Sequence, residues 1–264
     1  MSQNKNIQLN QLSKKRDNKM TCIIGAKCKD GAVLASDRKI TYVDKPTEFR
    51  DKLHRDYYPI VTGGAGGSMV YDNFRHKLLP KLQPHQWTEI QVSGIIPMYS
   101  SSDISFFNYQ NRIAEIVREV NDEETDENNK IELLTGIQTL DRDSKLTYIT
   151  KEGYPTNGQL YKSIGTGAQY TYVFLKPFYD NEKDITMYKL TRLAYFIIRF
   201  IEKFNIDPCQ GVGGKPQFWC IPNSEELFSD EDRSEWISQF EEDAYEMIEN
   251  FRQNGINALL PTKG

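Results

Sequence analysis

This chain is poor in histidine and cysteine, and it has no long apolar run. Its three histidines are His54, His76 and His85. None sits in a recognisable catalytic context, and no Gly-x-Ser-x-Gly elbow is present for one to serve, so a Ser-His-Asp or Cys-His site finds no support. They read as structural or surface residues. The four cysteines, Cys22, Cys28, Cys209 and Cys220, include no Cys-x-x-Cys pair, which argues against a zinc site. They read as reduced thiols of a cytoplasmic protein. No apolar stretch approaches the roughly 20 residues that span a bilayer, so no membrane partner is expected. Residues 1–20 have no apolar core and do not read as a secretory signal. A surplus of positive charge is also lacking: 33 Lys and Arg stand against 37 Asp and Glu, a net charge of -4, so no nucleic-acid partner is expected. The acidic run 122–127 lacks EF-hand spacing and reads as a solvated loop. No metal and no cofactor are expected.

What is present suits a globular protein of 264 residues, with 38% hydrophobic and 27% charged content. The stretch from Met20 to Lys52 organises the chain. Thr21-Cys22-Ile23-Ile24-Gly25-Ala26-Lys27-Cys28 and Ala32-Val33-Leu34-Ala35-Ser36-Asp37-Arg38 are β-type runs on either side of Asp30-Gly31, a hairpin signal. A two-residue turn at Asp30-Gly31 pairs Lys29 with Ala32 and sets Thr21 opposite Ile40, with Asp37 on the other face. A three-residue loop shifts the register by one, sets Thr21 opposite Lys39 and brings Asp37 to the face of Thr21. Both turns are allowed.

Residues 1–20 are polar, lack periodicity and read as a disordered tail or propeptide. Met20 directly precedes Thr21, so a start at Met20 followed by loss of the initiator would expose Thr21. The segment 40–50 reads as a polar crossing, and 57–62 as a strand entering the glycine-rich turn Gly63-Gly64-Ala65-Gly66-Gly67. A helix is expected over 68–79 and another over 104–120. Strands are expected over 131–140, 146–151 and 160–164. The aromatic-rich segment 168–179 follows Gly165-Thr166-Gly167. The strongest helical periodicity runs over 185–204, through Leu190, Leu193, Ala194, Ile197, Ile198 and Ile201. A short strand over 217–221 precedes a helical tail over 224–260, with Trp236, Phe240, Tyr245, Ile248 and Phe251 as its apolar stripe. The tail reads as a packing or assembly element. Strands then helices, repeated, suit two packed sheets with helices outside them, an α+β class.

Thr-x-x-x-Gly from Thr21, Lys-Asp-Gly at 29–31, Ala-Ser-Asp-Arg at 35–38, Lys-Leu at 52–53 and the later Gly-Gly-Ala-Gly together resemble the β-type subunits of proteasomes and their bacterial relatives. Those are N-terminal-nucleophile hydrolases. The resemblance runs from Thr21 to about Ile221. It implies a four-layer α-β-β-α sandwich over 21–222, to which 223–264 adds an acidic helical extension. It also implies a threonine-type endopeptidase of intracellular protein degradation, acting on peptides or unfolded proteins within a homo- or hetero-oligomeric ring. Association with a hexameric unfoldase is implied in the same way.

The chemistry follows from the residue types. A threonine hydroxyl needs a base, and an N-terminal threonine carries one in its free α-amine, whose ordinary pKa is about 8. A neighbouring ammonium lowers that amine's pKa, and a buried ammonium needs a counter-charge. Lys52 and Asp37 would fill those roles, with Thr21 as nucleophile and the Gly66 N–H as oxyanion donor. By resemblance, Thr166 stands where the family has serine in Gly-Ser-Gly. Asp207 and Gln210 stand in its Asp-x-x-Ser-Gly segment, with Gln210 in place of serine. Ile40, Gly64 and Ser68 are expected near the pocket for the residue before the scissile bond. A non-catalytic ring or assembly subunit, and an amidase or peptide ligase using the same nucleophile, are the alternatives.

Overall fold

The computed structural model describes residues 21–40, 46–57, 60–82, 103–139, 142–182, 184–204, 211–224 and 230–255. The expectations placed on 1–20, 81–102, Asp207 and Gln210 lie wholly or mostly outside them.

The first sheet is four-stranded. Strands β1 (Ile23–Cys28) and β2 (Gly31–Ser36) form the expected hairpin at its centre. Two short strands, β3 (Lys39–Ile40) and β4 (Glu48–Phe49), pair separately. The second sheet orders its strands β5-β6-β7-β8-β9, comprising Leu53–Tyr57, Ile60–Ala65, Glu132–Gln138, Ser144–Ile149 and Pro155–Thr156. Strands β10 (Tyr161–Ile164) and β11 (Gln217–Pro222) return to the first sheet and flank the hairpin in the order β10-β1-β2-β11.

Five α-helices complete the described residues: α1 (Ser68–Leu78), α2 (Asp103–Asp122), α3 (Ala168–Asn181), α4 (Met187–Lys203) and α5 (Asp230–Asn254). Period-two alternation in the strands sends neighbouring residues into different layers. Ile23, Leu34, Leu134 and Leu146 pack between the two sheets. Ile24, Val33 and Ala35 pack outward under α3 and α4, beside Leu175, Leu193 and Ile197. Ile60, Leu133 and Ile149 pack outward under α1 and α2, beside Phe74, Ile113 and Val117. The layers therefore run helix, sheet, sheet, helix.

Helix α5 packs on the outer helical layer. Phe240, Ala244 and Ile248 are buried there, with Trp236 and Phe251 against the same cluster. Tyr245, placed on this stripe by the sequence reading, is 65% exposed. It is one residue past Ala244, about 100° round the helix, and so faces away.

The hairpin register is neither of the two weighed from sequence. Cys28 pairs with Gly31 and Ile23 with Ser36, so the turn residues are Lys29 and Asp30. Tertiary contacts decide this. Asp30 Oδ1 accepts from Met187 N at 2.8 Å, and Asp30 O accepts from Asn223 N at 2.8 Å. Gly31 is used for close approach instead of turning, since a β-carbon there would lie 2.3 Å from Ile221 O.

Candidate active site

Continuing the observed register sets Cys22 opposite Asp37, just past the ends of β1 and β2. Asp37 N donates to Cys22 O at 3.1 Å, and Cys22 N donates to Asp37 Oδ1 at 2.9 Å. The Asp37 carboxylate is fully buried and receives further N–H donors from Lys39 at 3.1 Å and Gly213 at 3.3 Å, both on Oδ2. The Lys52 ammonium meets both carboxylate oxygens at 2.8 Å and is itself buried. Burial pushes the Lys52 ammonium below its ordinary value, opposed by the attraction of Asp37. It pushes the Asp37 carboxyl up, opposed by Lys52 and by the N–H groups of Cys22 and Gly213.

Lys52 is positioned by its backbone. Gln217, at the start of β11, accepts from Lys52 N at 3.1 Å and Leu53 N at 3.0 Å through Oε1, and donates to Leu53 O at 2.9 Å through Nε2. Gln217 thus ties the first sheet to the start of β5. Nothing in its sequence context marks it.

Thr21 is held from the other side. Gly167 N donates to Thr21 O at 3.2 Å. Gly165 adopts φ +83°, and a β-carbon there would lie 2.1 Å from Thr21 O, so only glycine lets this turn close on the threonine. Between them, the Thr166 hydroxyl is buried and has no hydrogen-bond partner among the described residues. Glu132 supports the turn, accepting from Gly165 N at 3.1 Å and from Tyr148 Oη at 2.8 Å.

A cavity of about 170 Å³ opens beside these groups. Thr21, Lys52 and Gly66 line it, together with Ile40, Gly64 and Ser68, the residues placed by analogy near a side-chain pocket. Gly66 takes φ +135°, and a β-carbon on it would strike Lys130 O at 2.5 Å. The rest of the lining was not anticipated: Arg50, Asp51, His54, Tyr71, Asp72 and Arg75. His54 is therefore a cavity residue. Its Nδ1 lies 2.8 Å from Arg75 Nη1, and burial, reinforced by the guanidinium, lowers its pKa to about 4. The imidazole is neutral at pH 7 and accepts from Arg75. At the rim Arg50 pairs with Asp72 at 3.4 Å, and Arg38 with Asp51 at 2.9 Å.

The structure thus brings Thr21, Asp37, Lys52, Gly66 and Thr166 into one neighbourhood, while Asp207 and Gln210 lie outside the described residues. Among the described residues, no group of three His, Cys, Asp or Glu side chains could hold a metal ion. Nor is any helix among them long and apolar enough to cross a membrane.

No protein-family model matches this chain, and neither does any curated protein. Among solved structures it is similar to Anbu (ancestral beta-subunit) from Yersinia bercovieri. The TM-score is 0.62 at 17% identity, with 88% of this chain and 97% of that chain covered. The chain has a proteasome-like α+β sandwich fold.

Proposed function

We propose that this protein is a threonine-type N-terminal-nucleophile peptidase whose nucleophile is Thr21. One observation carries the reading: the buried Asp37–Lys52 pair is bonded to the backbone of Cys22, and Lys52 lines one cavity with Thr21. That placement supplies a cation of lowered pKa beside the threonine. The fold likeness to an ancestral β-subunit supports the same class.

Removal of residues 1–20 frees the Thr21 α-amine. The amine takes the hydroxyl proton while Oγ1 attacks the scissile carbonyl. Lys52 keeps the amine's pKa near working pH, and Asp37 keeps Lys52 in place. The Gly66 N–H receives the developing oxyanion. The Thr166 hydroxyl, which has no hydrogen-bond partner among the described residues, is available to the amine, with Asp207 and Gln210 as its further supports. The amine then returns the proton to the leaving amine, and water releases the acyl group. We extend the reading to peptide or unfolded-protein substrates, an oligomeric ring and an unfoldase partner in the cytoplasm.

A non-catalytic assembly subunit is the second reading, favoured by the 25-residue helix α5 appended to the outer layer. Intact mass and N-terminal sequencing of the protein from its own cells separate the two. A chain beginning at Thr21 that a hydroxyl-directed electrophile labels there, with labelling lost in Thr21→Ala, is expected. A chain that retains residues 1–20 in its assembled state, or an unlabelled Thr21, overturns the peptidase reading.

A further inference from the structure

A line of hydrogen bonds leads from α5 to Asp37. On α5, the Glu241 carboxylate takes hydrogen bonds from Tyr195 Oη and from the Arg199 guanidinium, both on α4. Arg199 also donates to Glu202 Oε2 at 2.6 Å. The other oxygen of Glu202 leaves the helices altogether and accepts from Gly214 N at 2.9 Å. Gly213, the preceding residue, donates to Asp37 Oδ2 at 3.3 Å, and its carbonyl accepts from Arg38 N at 3.0 Å and Lys39 N at 2.9 Å.

Glu202 therefore has two jobs on its two oxygens. Arg199 fixes its rotamer, and Gly214 is the group it holds. A half-exposed ion pair adds little to stability by itself. Bridging a helix to a loop backbone has a different effect, because it sets where the Gly213 N–H points, and that N–H is one of the donors on the buried carboxylate. Arg199 is shared between Glu202 and Glu241, so the aim of Glu202 depends on α5 being docked. Arg199, Glu202 and Glu241 also line a surface groove of about 330 Å³, which leaves the relay open to solvent at its outer end.

We propose that Glu202 is a positioning residue for Asp37 and that the C-terminal helix α5, through Glu241 and Arg199, sets that position. The inference rests on the reading of Asp37–Lys52 as part of the catalytic site, and it gives the extension a role in the activity of its own chain.

The test compares wild type, Glu202→Ala, Glu202→Gln, Glu241→Ala and the Glu202→Ala/Glu241→Ala double variant in the full chain. Hydrolysis of a fluorogenic peptide gives kcat and KM. Amide hydrogen exchange reads the segment containing Gly213 and Gly214. Loss of a charge-assisted bond to the loop predicts a fall of about tenfold in kcat for Glu202→Ala, with KM within about twofold. Glu202→Gln keeps an acceptor for Gly214 and should recover most of that loss. Glu241→Ala should cost about threefold, and the double variant should match Glu202→Ala instead of multiplying the two losses. Exchange at 211–214 should quicken in the same order.

Wild-type kcat and exchange in Glu202→Ala, a loss appearing only in KM, or multiplicative effects in the double variant would each overturn the proposal. If wild type shows no hydrolysis, the peptidase reading has failed. Hydrogen exchange then still decides the positioning claim.

Discussion

Lysine at position 52 offers a sharp test of how the site is built. Lys52→Met keeps the apolar stem and removes the ammonium. Asp37 is then left with its backbone N–H donors but no cation, at a point with no exposure to water. Breaking a buried pair in this way costs about 3–5 kcal/mol, because the remaining charge stays desolvated. Replacing both partners, Lys52→Met with Asp37→Asn, removes the charge as well and should recover about 2 kcal/mol or more of that loss. The pH dependence has a definite sign. Burial already raises the Asp37 carboxyl, and loss of Lys52 raises it further above its unfolded value. The native single variant therefore takes up a proton that the unfolded chain does not, and its deficit shrinks as pH falls from 7 to 5. Urea unfolding of wild type and both variants at the two pH values measures this directly. A loss for Lys52→Met below about 1 kcal/mol at pH 7, or one independent of pH, would mean that water reaches the pair, and the argument for a lysine of lowered pKa would go with it.

Two further outcomes can be checked with the same preparations. Gly165→Ala combines a left-handed backbone with a β-carbon 2.1 Å from Thr21 O, so it should cost at least about 2 kcal/mol in thermal unfolding and cut the labelling of Thr21; wild-type stability would show that the turn can move off Thr21 freely. His54, with its pKa lowered to about 4 from 6.5, contributes stability that is fully present above pH 6.5 and lost as pH falls toward 4. After allowance for its partial exposure the contribution is about 2 kcal/mol, and a flatter stability-pH curve is expected for His54→Asn.

The layer order was legible in the sequence because alternation and helical period are local signals. Ile23 and Ile24 point into different cores simply by adjacency in a strand. The hairpin register was not legible, because Asp30 and Gly31 answer to Met187, Asn223 and Ile221, residues more than 150 positions away. Strand β5 was missed for a related reason. His54 and Arg55 carry no apolar alternation, and the strand is anchored at its start by Gln217. Thr21, Asp37 and Lys52 were singled out as candidates by residue type together with motifs whose order and spacing resemble a known family. The groups that hold them could not be, because much of that hold comes from main-chain N–H donors at Cys22, Lys39, Gly167 and Gly213, and a backbone amide looks the same in every sequence.

The grip on Thr21 has a consequence for the maturation that the peptidase reading requires. Its carbonyl is taken by Gly167, the next amide is taken by Asp37, and Gly165 presses on its backbone. Every one of these anchors lies on the carboxyl side of the Met20–Thr21 bond. Cutting that bond therefore converts an amide into an ammonium without loosening strand β1 or its partners. On that reading, precursor and product would keep these same anchors, and activation would be a change in chemistry at a single nitrogen. The timing of the cut is then free to be set by whatever gains access to that bond.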